Sequence, residues 1–247
     1  MISKTHTKYI QSLQHKKFRD EHAVFIAEGP KLVAELLDAG RFNCREVLSL
    51  QEWLDENHGL VALHPSTHFE AVKDFELQQL SGLASANQVI AVFEQLQFQD
   101  EINIKDRITL ALDTIQDPGN LGTIIRIADW FGIENIICSI GCADMYNPKV
   151  VQSTMGSIAR VNITYTDLSG WLFDHTGIKV YGAALEGTPL RSVPRVKEAI
   201  ILIGNEAHGI GEETMSFISE KITIPRTGGA ESLNAAVATG IILSHIC

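Results

Sequence analysis

The feature that most constrains the fold is an alternation of short, continuous apolar runs with helical segments, which repeats along nearly the whole chain. In the second half the apolar runs are "ITLALDT", "NIICSIG", "RVNITYT", "KVYGAAL", "AIILIGNE" and "KITIPR". Such runs are typical of parallel strands that are buried on both faces by helices. The alternation therefore predicts an α/β fold with a parallel sheet, in which ligands bind outside the carboxyl ends of the strands.

A polar stretch without helical periodicity, "QFQDEINIKD", divides this alternation. We interpret it as a linker, residues 97–106, between a small α/β domain, residues 1–96, and a larger domain, residues 107–247. In the small domain the sequence predicts strands at "AVFIAEG", "REVLSL", "LVALH" and "QVIAVFEQL". It predicts helices there at "PKLVAELLDAG", "QEWLDENH" and "HFEAVKDF".

The composition argues against several classes of protein. No apolar run reaches the roughly 18 residues of a membrane span, and the start of the chain lacks the apolar core of a secretory signal. We therefore expect a soluble, cytoplasmic protein. The four cysteines fit no zinc pattern, and His64 and His68 have no third ligand, so we expect no metal.

The net charge of −10 argues against broad, non-specific binding of nucleic acid but leaves room for a local basic surface. Residues 1–19 contain no acid and five cations, namely Lys4, Lys8, Lys16, Lys17 and Arg19. A solvated first helix and a nucleic-acid-binding surface both explain this pattern.

The first of three informative loops is "IQDPGNLGTIIRIADWFG", which follows a predicted strand. Residues 117–119 indicate a turn, and Asn120 is a favourable N-cap for the next helix. Arg126 lies four residues after Gly122, so its side chain can lean back over the glycine toward the strand end. An arginine there suits an anionic partner such as a phosphate, although an ordinary surface arginine gives the same pattern.

The second loop, "LIGNEAHGIGEET", combines glycines with Asn205 and Glu206. It lacks the lysine of a phosphate-binding loop and the glycine spacing of a dinucleotide-binding loop. Glu206 would repel a phosphate, so the loop better suits a cationic or hydroxyl-bearing ligand. A glycine-rich turn before a capped helix is the alternative.

The third loop, "IPRTGGAESLN", precedes a terminal helix that is predicted to begin near Glu231. Its two glycines permit positive φ and close approach of the backbone. Ser232 and Asn234 lie in or near the first turn, where free amide donors and the helix dipole also point. Packing explains the small residues of "AAVATG" but not the position of this polar cluster.

Together the three loops resemble the three signature motifs of the SpoU/TrmH family of RNA ribose 2′-O-methyltransferases, in the SPOUT superfamily. The motifs are Asn120-x-Gly122 with Arg126, Ile203 to Gly209, and Ile224 to Asn234. The resemblance is strong from Arg107 to Cys247. Residues 1–96 resemble, less specifically, the substrate-binding domain of many of these enzymes. One departure is Gln152, where the family often has an arginine, which weakens any claim of a second anion contact there.

The resemblance implies S-adenosylmethionine as the cofactor, structured RNA (ribosomal or transfer RNA) as the substrate, and a homodimer. It also implies a deep trefoil knot, in which the carboxyl-terminal segment threads through a preceding loop. The alternation alone predicts an open sheet, because connections in proteins very rarely form knots.

The resemblance also assigns roles to residues. The catalytic residues are expected to be Asn120, Arg126, Glu206, Ser232 and Asn234. The cofactor pocket is expected to be formed by Ala184, Leu185, Gly204, Asn205, Gly209, Ile224, Pro225 and Leu233. RNA is expected to contact Arg126 and the five basic residues near the amino terminus. Whether Arg126 accepts the proton or anchors a phosphate and steadies the alkoxide stays open, because the pKa of a guanidinium lies above about 12.

Two alternatives belong to other functional classes. The first is a non-catalytic RNA-binding or ribosome-assembly protein on the same fold, and the intact set of expected catalytic residues argues against it. The second is a nucleotide-dependent enzyme on a doubly wound sheet, and the missing phosphate-loop and dinucleotide fingerprints argue against that.

Overall fold

The computed structural model describes residues 2–96 and 102–247, which form two compact units. The first unit contains the described residues up to 96 together with Tyr146–Ala159, and the second contains the remainder. The predicted linker lies partly outside the described residues, and the predicted domain boundaries stay predictions. No helix in the described ranges is long and apolar enough to cross a membrane.

Ten strands and eleven α-helices alternate along the described residues. The strands are β1 (Val24–Glu28), β2 (Cys44–Ser49), β3 (His68–Ala71), β4 (Val89–Glu94), β5 (Ile108–Leu112), β6 (Asn135–Ser139), β7 (Asn162–Thr166), β8 (Val180–Pro189), β9 (Ala199–Ile203) and β10 (Glu220–Thr223). The helices are α1 (Lys4–Ser12), α2 (Lys16–His22), α3 (Pro30–Ala39), α4 (Gln51–Glu56), α5 (His58–Leu63), α6 (Asp74–Leu80), α7 (Pro118–Trp130), α8 (Pro148–Thr154), α9 (Leu168–Asp174), α10 (Glu212–Met215) and α11 (Ala235–Ile246).

The first unit has a mixed, four-stranded sheet in the order β1-β4-β2-β3. Strand β4 pairs antiparallel with both β1 and β2, while β3 pairs parallel with β2 at the edge. The segment that carries α8 joins this unit through Tyr146. The Tyr146 ring stacks on Phe25 with centroids 5.0 Å apart, and its hydroxyl accepts a hydrogen bond of 3.0 Å from the Leu96 N–H.

Two sequence predictions in the first unit are wrong. The run "LVALH", predicted as a strand, lies largely in α5, and "HFEAVKDF", predicted as a helix, forms β3 and the start of α6. Strand β3 has only one neighbour, and none of its residues is fully buried, so it carries no continuous apolar run. Parallel pairing of β2 with β3 requires a long crossover, which α4 and α5 supply.

The second unit confirms the predicted parallel sheet. Its six strands follow the order β10-β8-β9-β5-β6-β7, and every neighbouring pair is parallel. All five residues of β9 are buried, and alternate ones, Ile200 and Leu202, pack with Leu168 and Leu172 of α9. Both faces of β9 are covered, which explains why this strand is apolar throughout.

The strand order reverses between β5 and β9. From β5 the chain continues through β6 to β7 on one side, and then returns to place β8, β9 and β10 on the other. Leu112 at the end of β5 lies beside Ile203 at the end of β9. Such a reversal is where open α/β sheets bind ligands, and the first two predicted loops begin there.

Candidate active site

A chain of hydrogen bonds joins one residue from each of the three loops. The Asn120 Nδ2 group donates to Glu206 Oε1, and the Asn234 Nδ2 group donates to Asn120 Oδ1 at 2.7 Å. Asn120 and Glu206 are half-buried, and Asn234 is exposed. The fold therefore brings together three of the five predicted catalytic residues, which are separated by up to 114 positions in sequence.

The direction of this chain is set by the terminal helix. Asn234 is the N-cap of α11, and its Oδ1 accepts a hydrogen bond of 3.1 Å from the Val237 N–H. With its oxygen engaged, Asn234 can offer only its amide N–H to Asn120. Asn120 must then present its oxygen to Asn234 and its amide N–H to Glu206. The cap thus makes Glu206 the acceptor at the end of the chain.

The starts of two helices differ from their predicted positions. Asp117, not Asn120, is the N-cap of α7: its Oδ1 accepts a hydrogen bond of 2.8 Å from the Asn120 N–H. Pro118 takes the first helical position, which suits its fixed φ. This frees the Asn120 side chain for Glu206. Helix α11 begins at Ala235 rather than near Glu231, because Asn234 supplies the cap.

The second loop is folded tightly on itself. The Asn205 and Gly209 N–H groups donate to each other's carbonyl oxygens at 2.9 and 2.8 Å, and Gly209 has φ of +71°. A Cβ on Gly204 would lie 2.3 Å from the Gly209 carbonyl carbon, so only glycine fits there. The Asn205 side chain is used within this region, because its Nδ2 donates to Thr114 O at 2.8 Å. This wall of the site is therefore mainly backbone.

The other predicted cofactor residues lie within β8, directly after β10 and on the third loop. The pairing of these strands jumps from Gly182 to Thr188 on β8, so residues 183–187, which include Ala184 and Leu185, bulge out. The Leu185 side chain is 75% exposed, and its carbonyl accepts a hydrogen bond of 2.9 Å from Thr223 Oγ1. Ile224 and Pro225 directly follow β10. Leu233, on the third loop, is 45% exposed.

Two predicted catalytic residues do not take part in this chain of hydrogen bonds. Arg126 and Ser232 are exposed, and neither forms a hydrogen bond or ion pair with any part of the chain that the structure describes. In helix α7, Arg126 follows the buried Gly122 by one turn, but its side chain forms no hydrogen bond or ion pair with Glu206 or Asn234. Within the described part of one polypeptide, the site therefore contains an amide–carboxylate network, formed by Asn234, Asn120 and Glu206, and the Arg126 guanidinium has no partner there.

The basic residues near the amino terminus divide into two groups. Lys4, Lys8, Lys16 and Lys17 are exposed, although Lys16 pairs with Asp20 at 2.8 Å. Arg19 was predicted to contact RNA, and this is wrong. Arg19 is 1% exposed, and its Nη1 donates to Leu13 O and Gln14 O at 3.1 and 2.9 Å. Its role is to fix the connection between α1 and α2, whose carbonyls need a donor.

Three residues beneath the loops were not identified from the sequence. Asp113 is buried at the end of β5, Thr114 has φ of +58°, and Cys142 lies between the ends of β5 and β6. The Cys142 sulfur contacts Leu112 O at 3.2 Å and Ile115 N at 3.3 Å. Of these residues, only Asp113 could have been noticed in the sequence, because it is a carboxylate that ends an apolar run. Nothing in the sequence indicates the positive φ of Thr114.

Comparisons with known proteins find matches along most of this chain. The SpoU rRNA Methylase family matches residues 107–244, and the MRM3-like substrate binding domain matches residues 4–91. The 23S rRNA (guanosine(2553)-2′-O)-methyltransferase RlmP of Bacillus subtilis is 32% identical, with 96% of this chain and 93% of that protein covered.

Solved structures give the same assignment. An rRNA methyltransferase from Sinorhizobium meliloti with bound AdoMet superposes with a TM-score of 0.87 at 30% identity, over 100% of this chain and 96% of that one. The SpoU methyltransferase AviRb from Streptomyces viridochromogenes, in complex with AdoMet, has a TM-score of 0.86 at 25% identity, over 99% and 97% of the two chains. With the three motifs joined at the reversal of the sheet and a family match over more than half of its length, this chain belongs to the SpoU rRNA methylase family.

Proposed function

We propose that this protein transfers the methyl group of S-adenosylmethionine to the 2′-hydroxyl of a ribose in structured RNA. The observation that carries the proposal is the hydrogen-bonded chain from Asn234 through Asn120 to Glu206. It joins all three family motifs at the point where the strand order reverses. A loop arrangement that served only to cap helices would not need this contact.

The residues present fit the cofactor. The backbone wall at Gly204, which has no room for a Cβ, and the exposed side chains of Leu185 and Leu233 would hold the adenosine part between polar backbone and apolar surface. When bound, S-adenosylmethionine supplies an electrophilic methyl group on a positively charged sulfur. A carboxylate such as Glu206 tolerates that charge, whereas a phosphate-binding lysine would repel it.

The protein's task is mainly to position the ribose. Because the attacking hydroxyl loses a proton and the sulfonium loses its charge, charge is consumed in the transition state, and orientation and exclusion of water matter most. Glu206 Oε1 is engaged by Asn120, and its second oxygen is available to accept from a ribose hydroxyl. The guanidinium of Arg126, which has no partner among the residues that the structure describes, is available to anchor a phosphate and to stabilise the developing alkoxide.

We favour ribosomal RNA over transfer RNA as the substrate. The relative named above that covers nearly the whole chain acts on 23S rRNA, and the residues before the methylase region match a substrate-binding domain. The same proposal implies a cytoplasmic location.

We further propose a homodimer through α7 and α11, which pack against each other. Leu233, Val237 and Ile241 are spaced four apart and remain 45%, 50% and 37% exposed, and Trp130 at the end of α7 is 85% exposed. Arg126 lies on the same exposed side of α7, four residues before Trp130. A second copy that covered these helices would bury the apolar stripe and enclose the guanidinium.

The trefoil knot is also a proposal. The end of α11 is held by the connection between β8 and β9: the Val196 N–H donates to Ile246 O at 3.2 Å, and the His245 ring contacts Val193 O at 2.8 Å. This packing supports a terminal helix that is enclosed by an earlier segment rather than laid on the surface.

The function is tested by methyl transfer to RNA. Ribosomal RNA from cells that lack this gene is incubated with the purified protein and labelled S-adenosylmethionine, and the 2′-O-methylated nucleotide is mapped by mass spectrometry. We expect one labelled position, which Arg126→Ala abolishes and Arg107→Ala, a control at the opposite end of β5, leaves intact. RNA binding without methyl transfer would instead support the non-catalytic alternative.

Arg126→Lys then separates the two roles of the arginine. If the fork geometry of the guanidinium is needed, the lysine variant stays as inactive as the alanine variant. Substantial rescue by lysine would show that a positive charge is sufficient.

A further inference from the structure

A buried aspartate beneath the site engages the second loop. Asp113 directly follows β5 and is 8% exposed. Its Oδ2 accepts hydrogen bonds from the Gly211 N–H at 2.9 Å and from Thr214 Oγ1 at 2.6 Å. Its Oδ1 accepts from Thr114 Oγ1 at 2.9 Å. Every donor therefore comes from its own neighbour or from the end of the loop that carries Glu206.

The other end of that loop is fixed by Thr114, the residue that follows Asp113. The Thr114 carbonyl accepts a hydrogen bond of 2.8 Å from Asn205 Nδ2. The segment from Asn205 to Gly211 is thus held at both ends by Asp113 and Thr114, and Glu206 lies inside it. Gly211 leaves little room for change, because a Cβ there would approach Asp113 Oδ2 to 3.2 Å.

The backbone at Thr114 is strained, and contacts on several sides hold it in this conformation. Its φ of +58° is rare for a β-branched residue, which loses energy in the left-handed region. Such strain persists where the surroundings hold the residue firmly, and it clusters at functional sites. Here the Thr114 N–H donates to Ser139 Oγ at 2.9 Å, its carbonyl faces Asn205 and its hydroxyl faces Asp113.

We propose that Asp113 is a positioning residue for methyl transfer: with Thr114 it fixes the loop so that Glu206 meets Asn120. The inference rests on the proposed function, since it assigns Asp113 a role in that reaction. Asp113 does not touch the hydrogen-bonded chain itself. It completes a closed path of hydrogen bonds and backbone. This path runs from the end of β5 through the second loop to Glu206 and Asn120, and returns along the first loop to β5.

The test compares Asp113→Ala with Asp113→Asn. An asparagine oxygen can still accept from Gly211 and Thr214, and its amide can donate to Thr114 Oγ1, so we expect it to retain kcat within a few fold. The alanine variant loses all three bonds, and we expect kcat to fall on the order of 10²-fold, the usual effect of a misplacement near 1 Å. KM for the RNA should change little, because Glu206 and Asn120 act at the ribose alone. Asp167→Ala, another aspartate at a strand end that only caps α9, is the matched control.

A second readout does not depend on catalysis. The side-chain amide of Asn120 gives a nitrogen–proton NMR signal that reports its hydrogen bond to Glu206. We expect this signal to shift in Asp113→Ala and to stay in place in Asp113→Asn and Asp167→Ala. If the alanine variant fails to fold, Thr214→Val, which removes one donor to Asp113, should produce a smaller shift and a smaller loss of kcat.

Two results would overturn the proposal. One is an Asn120 signal and kcat that are unchanged in folded Asp113→Ala, or in Thr214→Val where that is the variant that folds. The other is an asparagine variant as inactive as the alanine variant. If the signal moves as expected but the wild-type protein methylates no RNA, the positioning of Glu206 stands and the proposed function fails.

Discussion

The side chain of Asn234 has two structural functions. Its oxygen caps α11, and its amide N–H orients Asn120. Capping of α11 and orientation of Asn120 are coupled, because a side-chain amide has one acceptor group and one donor group. An aspartate would cap the helix equally well but has no hydrogen to donate to Asn120. The asparagine at this position is therefore explained by the site and not by the helix alone.

Asn234→Asp separates capping from orientation. The carboxylate still accepts from Val237 and suits the positive end of the helix dipole, so the free energy of unfolding should be unchanged or slightly higher. Asn120 must now turn its amide N–H toward the aspartate, and Glu206 loses its donor. We expect methyl transfer to fall sharply in this variant, as in Asn234→Ala, which should also lose about 1 kcal/mol of stability. Full activity of the aspartate variant would show that the direction of the chain is unimportant.

Cys142 should be the most acidic thiol of the chain. A hydrogen bond from the Cys138 thiol, helped by Ser139, lowers the pKa of Cys142 to about 7 despite its partial burial. Burial raises the pKa of Cys44 to about 12, which provides an internal control. Alkylation by iodoacetamide, followed by mass spectrometry, should show half-maximal rate at Cys142 near pH 7 and almost none at Cys44. A midpoint near pH 9 at Cys142 would contradict the hydrogen-bonded arrangement.

The same shift has a consequence for stability. The folded-state pKa of Cys142 lies below the value of about 8.5 for a free thiol. Its ionisation therefore stabilises the folded state fully above that value, and this contribution is lost as the pH falls through 7. Cys142→Ser should remove this component of the pH dependence.

Among the elements, the fully buried strands are the ones that the sequence indicates most directly, although β7 and β10 are also predicted and are only partly buried. β9 and β5 are apolar because both faces are covered, and the pattern leaves no other interpretation. The edge strand β3 is half-exposed and short, so its sequence resembles a helix start. The three loops were predicted because polar and glycine residues interrupt apolar runs at strand ends.

Some of the site could not be predicted from the sequence. The contact of Asn234 with Asn120 spans 114 positions and depends on where the terminal helix packs. Arg19 belongs to a run of cations, and nothing in that run distinguishes a buried guanidinium from an exposed one. Pairings that arise from tertiary structure leave no local pattern.

The segment Tyr146–Ala159 is an element that completes the first unit from a distant part of the chain. Its tyrosine packs against Phe25 and Phe42, with centroids 5.0 and 6.4 Å away, and Gly156 adopts φ of +92° beside Glu35. Residues 2–96 alone would expose these aromatic side chains.

Tyr146→Ala should therefore destabilise the first unit by about 2–4 kcal/mol, because a large partly buried ring leaves a cavity. Tyr146→Phe should lose only about 1 kcal/mol, since it removes the hydrogen bond to Leu96 and keeps the stacking. Chemical denaturation followed by circular dichroism measures both. A fragment of residues 2–96 that unfolds as cooperatively as the full chain would show that the segment is dispensable.

For the whole molecule, the acidic net charge must be reconciled with an RNA substrate. We propose that four exposed lysines near the amino terminus, Lys4, Lys8, Lys16 and Lys17, contact the RNA on a chain with net charge −10. Replacing all four by alanine should weaken RNA binding and flatten its dependence on salt, because fewer counterions are released. Filter binding at several salt concentrations measures the slope, and an unchanged slope would exclude these contacts. Arg19→Ala should instead lower the melting temperature, because its buried bonds are structural.

The proposed dimer makes the catalytic site a property of two chains. Ile241→Glu places a charge in the apolar stripe of α11, and a charge cannot be buried there without a partner. We expect the mass by light scattering to fall from twice 27.2 kDa to that value, and methyl transfer to be lost with it, because Arg126 would again be open to solvent. Leu63→Glu, at an apolar position of α5 that is 74% exposed, is the matched control and should change neither. If the Ile241→Glu protein is monomeric and fully active, Arg126 works within its own chain, and the amide–carboxylate network of one subunit is sufficient for the reaction.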